Sequence, residues 1–230
     1  MSALALNSGD ELYIRGNNPS GFNSNYIDFH IFSIKGDKVS CFGNIMSLID
    51  YENLPDIVPS DYCFLKLFSN CAALTTAPEL PATTLAKHCY DSMFNGCTSL
   101  TTAPELPATT LANSCYSNMF LKCTSLTTAP ELPATTLADS CYSWMFKDCS
   151  SLTSAPELPA IKLTDRCYYW MFKNCSSLTT APELPAMTLA ESCYAEMFAY
   201  CTALTAKPEL PATELATNCY LDMFIGTRFE

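Results

Sequence analysis

Leu137, Cys141, Met145 and Cys149 follow one another at intervals of four residues, and Ala138, Tyr142 and Phe146 form a second row one residue on. Two adjacent i, i+4 rows predict an amphipathic helix of about three turns over residues 137–149. Thr136, followed three residues later by Asp139, reads as a capping box with Asp in place of Glu. Upstream, Leu126-Thr127-Thr128 is short, largely β-branched and closed by Ala129-Pro130, which predicts a brief strand. The Pro-Glu-Leu-Pro corner between them turns the chain with two prolines, each fixing φ near about −65°. The predicted unit is strand, stiff corner, helix.

This unit recurs every 26 residues. The Cys-aromatic element falls at Cys63, Cys89, Cys115, Cys141, Cys167, Cys193 and Cys219. A fixed period in this range marks stacked coils, because one coil cannot bury its apolar face alone. The expected architecture is a right-handed α/β solenoid of strand–helix coils. Residues 1–40 lie outside the repeat. Glu11–Arg15 and Tyr26–Ile34 are rich in β-formers, and the Lys35-Gly36-Asp37-Lys38 turn predicts a hairpin, so an N-terminal β cap is expected. Residues 41–62 read as a degenerate first repeat, with Cys41-Phe42 three periods before Met119-Phe120 and Leu48 three periods before Leu126. The solenoid proper is residues 63–230. Its final unit departs from the pattern at Thr227, which stands where the second Cys is expected. The last coil is read as uncapped, either trimmed or covered by another chain in an oligomer.

Composition narrows the function. The chain has 230 residues, 49% of them apolar and only 7 glycines, which suits one repeat domain with a cap. The net charge of −11 argues against nucleic acid as a partner, since phosphate contacts need clustered Lys and Arg. No apolar run reaches membrane-spanning length. The N-terminal segment has neither the basic region nor the apolar stretch of a secretory signal. The 14 cysteines fall almost entirely in two registers of the repeat. Free thiols packed as small core residues, disulfides between registers and a zinc site are all open readings. Helical spacing sets the two cysteines of one unit roughly 12 Å apart, which favours free thiols, and zinc is weakened by the lack of a Cys-x-x-Cys pair.

The motif Met119-Phe120, Cys123, Ser125-Leu126 and Pro130 is similar to that of the BspA-like leucine-rich repeat proteins of gut Bacteroidetes and related mobile elements. The opening GDELYIRGNN and the segment SIKGDKVSCFGNIMSLID also resemble what precedes such arrays. The resemblance covers nearly the whole chain. It implies a leucine-rich-repeat solenoid at the bacterial surface, used for adhesion or protein binding. Related arrays in phage genomes imply a virion-associated alternative. The 26-residue unit is longer than usual for such surface repeats.

Positions that vary from unit to unit mark the face open to a partner. Most are small or polar, but Trp144, Tyr169, Trp170, Tyr200 and Leu121 are not, and they make a candidate binding patch. The plainer reading has Trp144 and Trp170 simply stacking on each other. The second candidate is the acidic row Glu79, Glu105, Glu131, Glu157, Glu183 and Glu209. Carboxylates about 5 Å apart repel by roughly 0.8 kcal/mol even in water. Local backbone hydrogen bonds in the Pro corner, calcium, or a basic partner would each account for their persistence. Catalysis finds no support: His30 and His88 read as ordinary residues, and no nucleophile, phosphate-loop or metalloprotease motif is present. The expected function is a protein-binding or adhesion module acting on a host or neighbouring cell surface, without cofactor. The alternative is a structural subunit of an assembly such as a phage tail or capsid.

Overall fold

Residues 137–149, patterned for a helix, form a chain of overlapping turns instead. The computed structural model describes residues 10–229 except Asp28, Lys35 and Asp37, and among them there is no α-helix. Regular structure is limited to strands β1 (Val39–Ser40) and β2 (Leu74–Thr76), paired in parallel, and the 3-10 helix Ile45–Leu48. The α/β solenoid of strand–helix coils with a β cap is therefore overturned, and the Thr136–Asp139 pair has no helix to cap.

The hydrogen bonds show why. In the ribbon 114–123, every second N–H closes a turn three residues back: Ser117 to Ser114, Met119 to Tyr116, Leu121 to Asn118. The others leave the coil for carbonyls of the next one. Ser114 donates to Asp139 (3.0 Å), Tyr116 to Cys141 (3.0 Å), Asn118 to Ser143 (2.9 Å), Phe120 to Met145 (2.9 Å) and Lys122 to Lys147 (2.9 Å). A helix would return each N–H to its own chain. Here half of them cement neighbouring coils, which satisfies the backbone only when coils stack.

These turns need a left-handed residue at every fourth position. Ser140, Trp144 and Asp148 have φ of 56°, 63° and 63°, and the same places recur from Tyr62 to Asp222, with Gly96 and Gly226 filling two of them. None of the others is Val, Ile or Thr, the types that tolerate positive φ least. Ser140→Val is expected to lower stability by about 2 kcal/mol, whereas Ser140→Gly holds or raises it. Denaturant midpoints of the two variants check this.

The apolar rows do face inward. Cys141, Tyr142, Met145, Phe146, Cys149 and Leu152 are buried, as are their equivalents along the stack. Phe94, Phe120, Phe146, Phe172 and Phe198 form one column of parallel rings 5.6–5.7 Å apart, and the tyrosines from Tyr90 to Tyr220 form another. All fourteen cysteines are free. The Phe120 carbonyl accepts the Cys123 N–H and also the Cys149 S–H from the next coil (3.0 Å), and the same bond joins Cys175 to Phe146 (3.1 Å) and Cys201 to Phe172 (3.0 Å). Cys fits there because it is small, apolar and still a donor. On the opposite wall the expected strand shrinks to single parallel bridges, such as Thr102 with Thr128 and Thr128 with Ser154. There Thr153 and Thr179 each donate both N–H and Oγ1–H to the threonine carbonyl 26 residues earlier.

The N-terminal segment covers the first ribbon without a hairpin among the described residues; Lys35 and Asp37 of its expected turn lie outside them. Carbonyls that a preceding coil would satisfy are taken by Asn23 N–H (to Cys63, 2.9 Å), Asn23 Nδ2 (to Leu65, 3.0 Å) and Phe32 N–H (to Leu67, 2.7 Å). Phe32 stands 5.4 Å from Phe68 and accepts the Cys71 S–H, so it fills the first place in the phenylalanine column. Cys41-Phe42 does not hold the Met-Phe place that its spacing suggested: Phe42 is 78% exposed, whereas Phe120 is fully buried.

Candidate interaction surface

The left-handed positions line up in columns that run along the stack. Trp144 and Trp170 share one such column, and their rings stack at 5.2 Å and 17°. Tyr169 joins them, 5.2 Å from Trp170 and 6.4 Å from Trp144. Lys173 covers Trp170 with Nζ 3.7 Å from the ring centroid, ion-pairs with Glu196 and reaches within 5.8 Å of the Tyr200 ring. Four of the five expected patch residues thus form one continuous ladder, and its ring faces are spent largely on one another and on Lys173. Leu121, half-buried, shares the register of Lys147 and Lys173 instead. Beside the ladder, burial pushes the Asp148 carboxyl up. Hydrogen bonds from Asn174 (2.6 Å) and Lys147 (2.7 Å), with the charges of Lys147 and Lys122, outweigh it and leave the group below its ordinary value.

The acidic row behaves differently. Glu79, Glu105, Glu131, Glu157, Glu183 and Glu209 are all exposed, one per coil. Among the described residues none of these carboxylates accepts a hydrogen bond or makes an ion pair. The local backbone bonds that would have neutralised them are not made. No group of three or more His, Cys, Asp or Glu side chains is placed to share a metal ion among those residues.

His88 has a place that sequence spacing concealed. Its Nδ1 lies 2.7 Å from the Tyr26 hydroxyl and 3.2 Å from Asp91 Oδ2, and Tyr26 also donates to Asp91. The imidazole stacks on Tyr62 at 5.0 Å and 4°. Burial, then the hydrogen bond to Asp91, raises the Tyr26 phenol well above its ordinary value. Ser92 donates to Asp91 (2.7 Å) rather than to the imidazole, so the cluster lacks a nucleophile–base pair. What it does is latch the N-terminal segment onto the second ribbon. The contact spans 62 residues of chain, and only an Asp at a place filled in the next two coils by Ser117 and Ser143 hinted at it.

No family model matches this chain. No curated protein and no solved structure is significantly similar to it. Among the described residues no helix is long and apolar enough to cross a membrane.

Proposed function

We propose that this protein is a non-enzymatic binding module whose acidic row receives a basic protein surface. The observation that carries this reading is the set of six exposed, unpartnered carboxylates held in register by the stack. Like charges in a row cost folding energy and give nothing back within the chain. A rigid array of this kind complements lysines spaced along an extended or helical partner, and it steers their approach. Likeness of the repeat motif to BspA-like surface arrays supports adhesion at a cell or virion surface as the setting. The aromatic ladder beside Lys173 would serve as a rim contact.

The test is capture of a lysine-rich peptide, read by surface plasmon resonance. Replacing the six row glutamates by Gln is expected to weaken binding at least tenfold and to flatten its salt dependence. A charge-matched variant neutralising six acids elsewhere, Asp139 and Glu214 among them, keeps most of the affinity. Equal loss in both variants would reduce the row to bulk charge.

A further inference from the structure

Basic side chains concentrate around the aromatic ladder. The ribbons 114–123, 140–149 and 166–175 carry Lys122, Lys147, Arg166 and Lys173 against Asp148 alone, a net charge of +3 in a chain of net −11. Three of these cations are engaged, Lys147 with Asp148, Arg166 with Glu191 and Lys173 with Glu196. Lys122 is exposed and makes no ion pair among the described residues. Asp148, next after it in the same column, turns to Lys147 and Asn174 instead.

The ladder stops short on the side of Lys122. Trp144 has both its ring partners, Tyr169 and Trp170, in the coil after its own. In the coil before, its column holds Asn118. The Asn118 amide nitrogen leans away from Trp144, to Ser117 (2.9 Å) and Asp91 (3.5 Å), and its Oδ1 accepts no hydrogen bond among the described residues. Ser117 and Ser143 precede Tyr169 in its column, so no ring continues there either. One end of the ladder is covered by Lys173; at the other, the Trp144 face has no ring or cation over it among the described residues. A further ring, at the 5.2 Å spacing of Trp144 and Trp170, would lie over Asn118, and the chain supplies none.

We infer that a ligand ring takes this place, and that it is a pyranose bearing a carboxylate, as in an acidic polysaccharide. The C–H face of a sugar stacks on the electron-rich face of an indole. Lys122 gives a charge-assisted bond to the one carboxylate of each ring, and Asn118 Oδ1 accepts from a hydroxyl. A nucleotide fits less well, because phosphate calls for clustered cations and only one here is unpaired. A cationic ligand is repelled by Lys122. Acids elsewhere on the chain are screened beyond about 8 Å at physiological salt, so they do not cancel a direct contact. This site is separate from the acidic row, and replacing the row glutamates by Gln leaves it intact.

The probe is tetragalacturonate, titrated into the whole chain by isothermal calorimetry. Tryptophan emission is a second readout, since Trp144 and Trp170 are the only tryptophans. Saturable binding is expected, with the fully methyl-esterified tetramer at least tenfold weaker. Trp144→Asn and Lys122→Asn copy residues that the same columns already hold, Asn118 and Asn174, so both variants should fold, as circular dichroism checks. W144N is expected to abolish binding of both sugars. K122N is expected to bring tetragalacturonate down to the affinity of its ester, and it carries the test alone if W144N folds poorly. Unchanged binding in either variant, equal affinity of the parent chain for acid and ester, or no saturable binding of tetragalacturonate overturns the inference. Tighter binding of adenosine monophosphate overturns it as well, because the occupant is then a nucleotide.

Discussion

Raising the pH from 9 to 11 is expected to unfold this protein in one steep step. Burial pushes the thiols of Cys63 and Cys193 up to about 11, and those of Cys97, Cys115, Cys167 and Cys201 up to about 12. The same thiols ionise near 9 in the unfolded chain. Above that pH the unfolded state sheds protons that the folded state still holds, so stability is full below 9 and falls as pH climbs towards the folded values. Each thiol removes about 1.4 kcal/mol per pH unit across that window. Six acting together exceed the roughly 5–15 kcal/mol of a typical domain within one to two units. Circular dichroism against pH would show the step, with iodoacetamide labelling of the thirteen buried cysteines confined to it. Labelling of any of them, rather than of the half-buried Cys41, in the folded chain at pH 8 would contradict the sealed core.

Phe146→Ala is expected to cost about 3–5 kcal/mol and to break the cooperativity of unfolding. The ring is fully buried between Phe120 and Phe172, 5.6 Å from each, so its loss opens two interfaces at once. A stack held only by nearest neighbours then melts as two pieces. Phe224→Ala, at the half-buried end, where the ring stacks on Phe198 and faces Lys207 Nζ at 5.3 Å from its centroid, should cost less than half as much and leave a single transition. Denaturant titrations compare the two. Similar costs, or a single transition in Phe146→Ala, would mean that the coils are not coupled in series.

Which residues face inward was legible from the repeat: Cys141, Tyr142, Met145, Phe146 and Cys149 are all buried. How the backbone achieves this was not. A four-residue step turns about 400° on a helix, so a strict four-residue row drifts by about 40° at each step. The pairs Cys141-Tyr142 and Met145-Phe146 do not drift, which suits turns of period four. The avoidance of threonine at Ser140, Trp144, Asp148 and their equivalents, in a chain rich in threonine, pointed to positive φ. Small polar residues there also fit plain solvent exposure, which hid that signal. At the N-terminus, Phe32 and Tyr26 act across separations that no period links, so their pairing with Phe68 and His88 was beyond the reach of pattern.

The alternation of turn-closing and coil-bridging amides also governs how such a chain can grow. A single residue inserted between Cys141 and Cys149 would swap the two kinds of amide downstream and rotate the tyrosine and phenylalanine columns towards water. Only the gain or loss of a whole coil preserves the pattern. Natural length variants of this protein should therefore differ by complete units, like marks on a ruler, with recombination boundaries free to fall anywhere within the period.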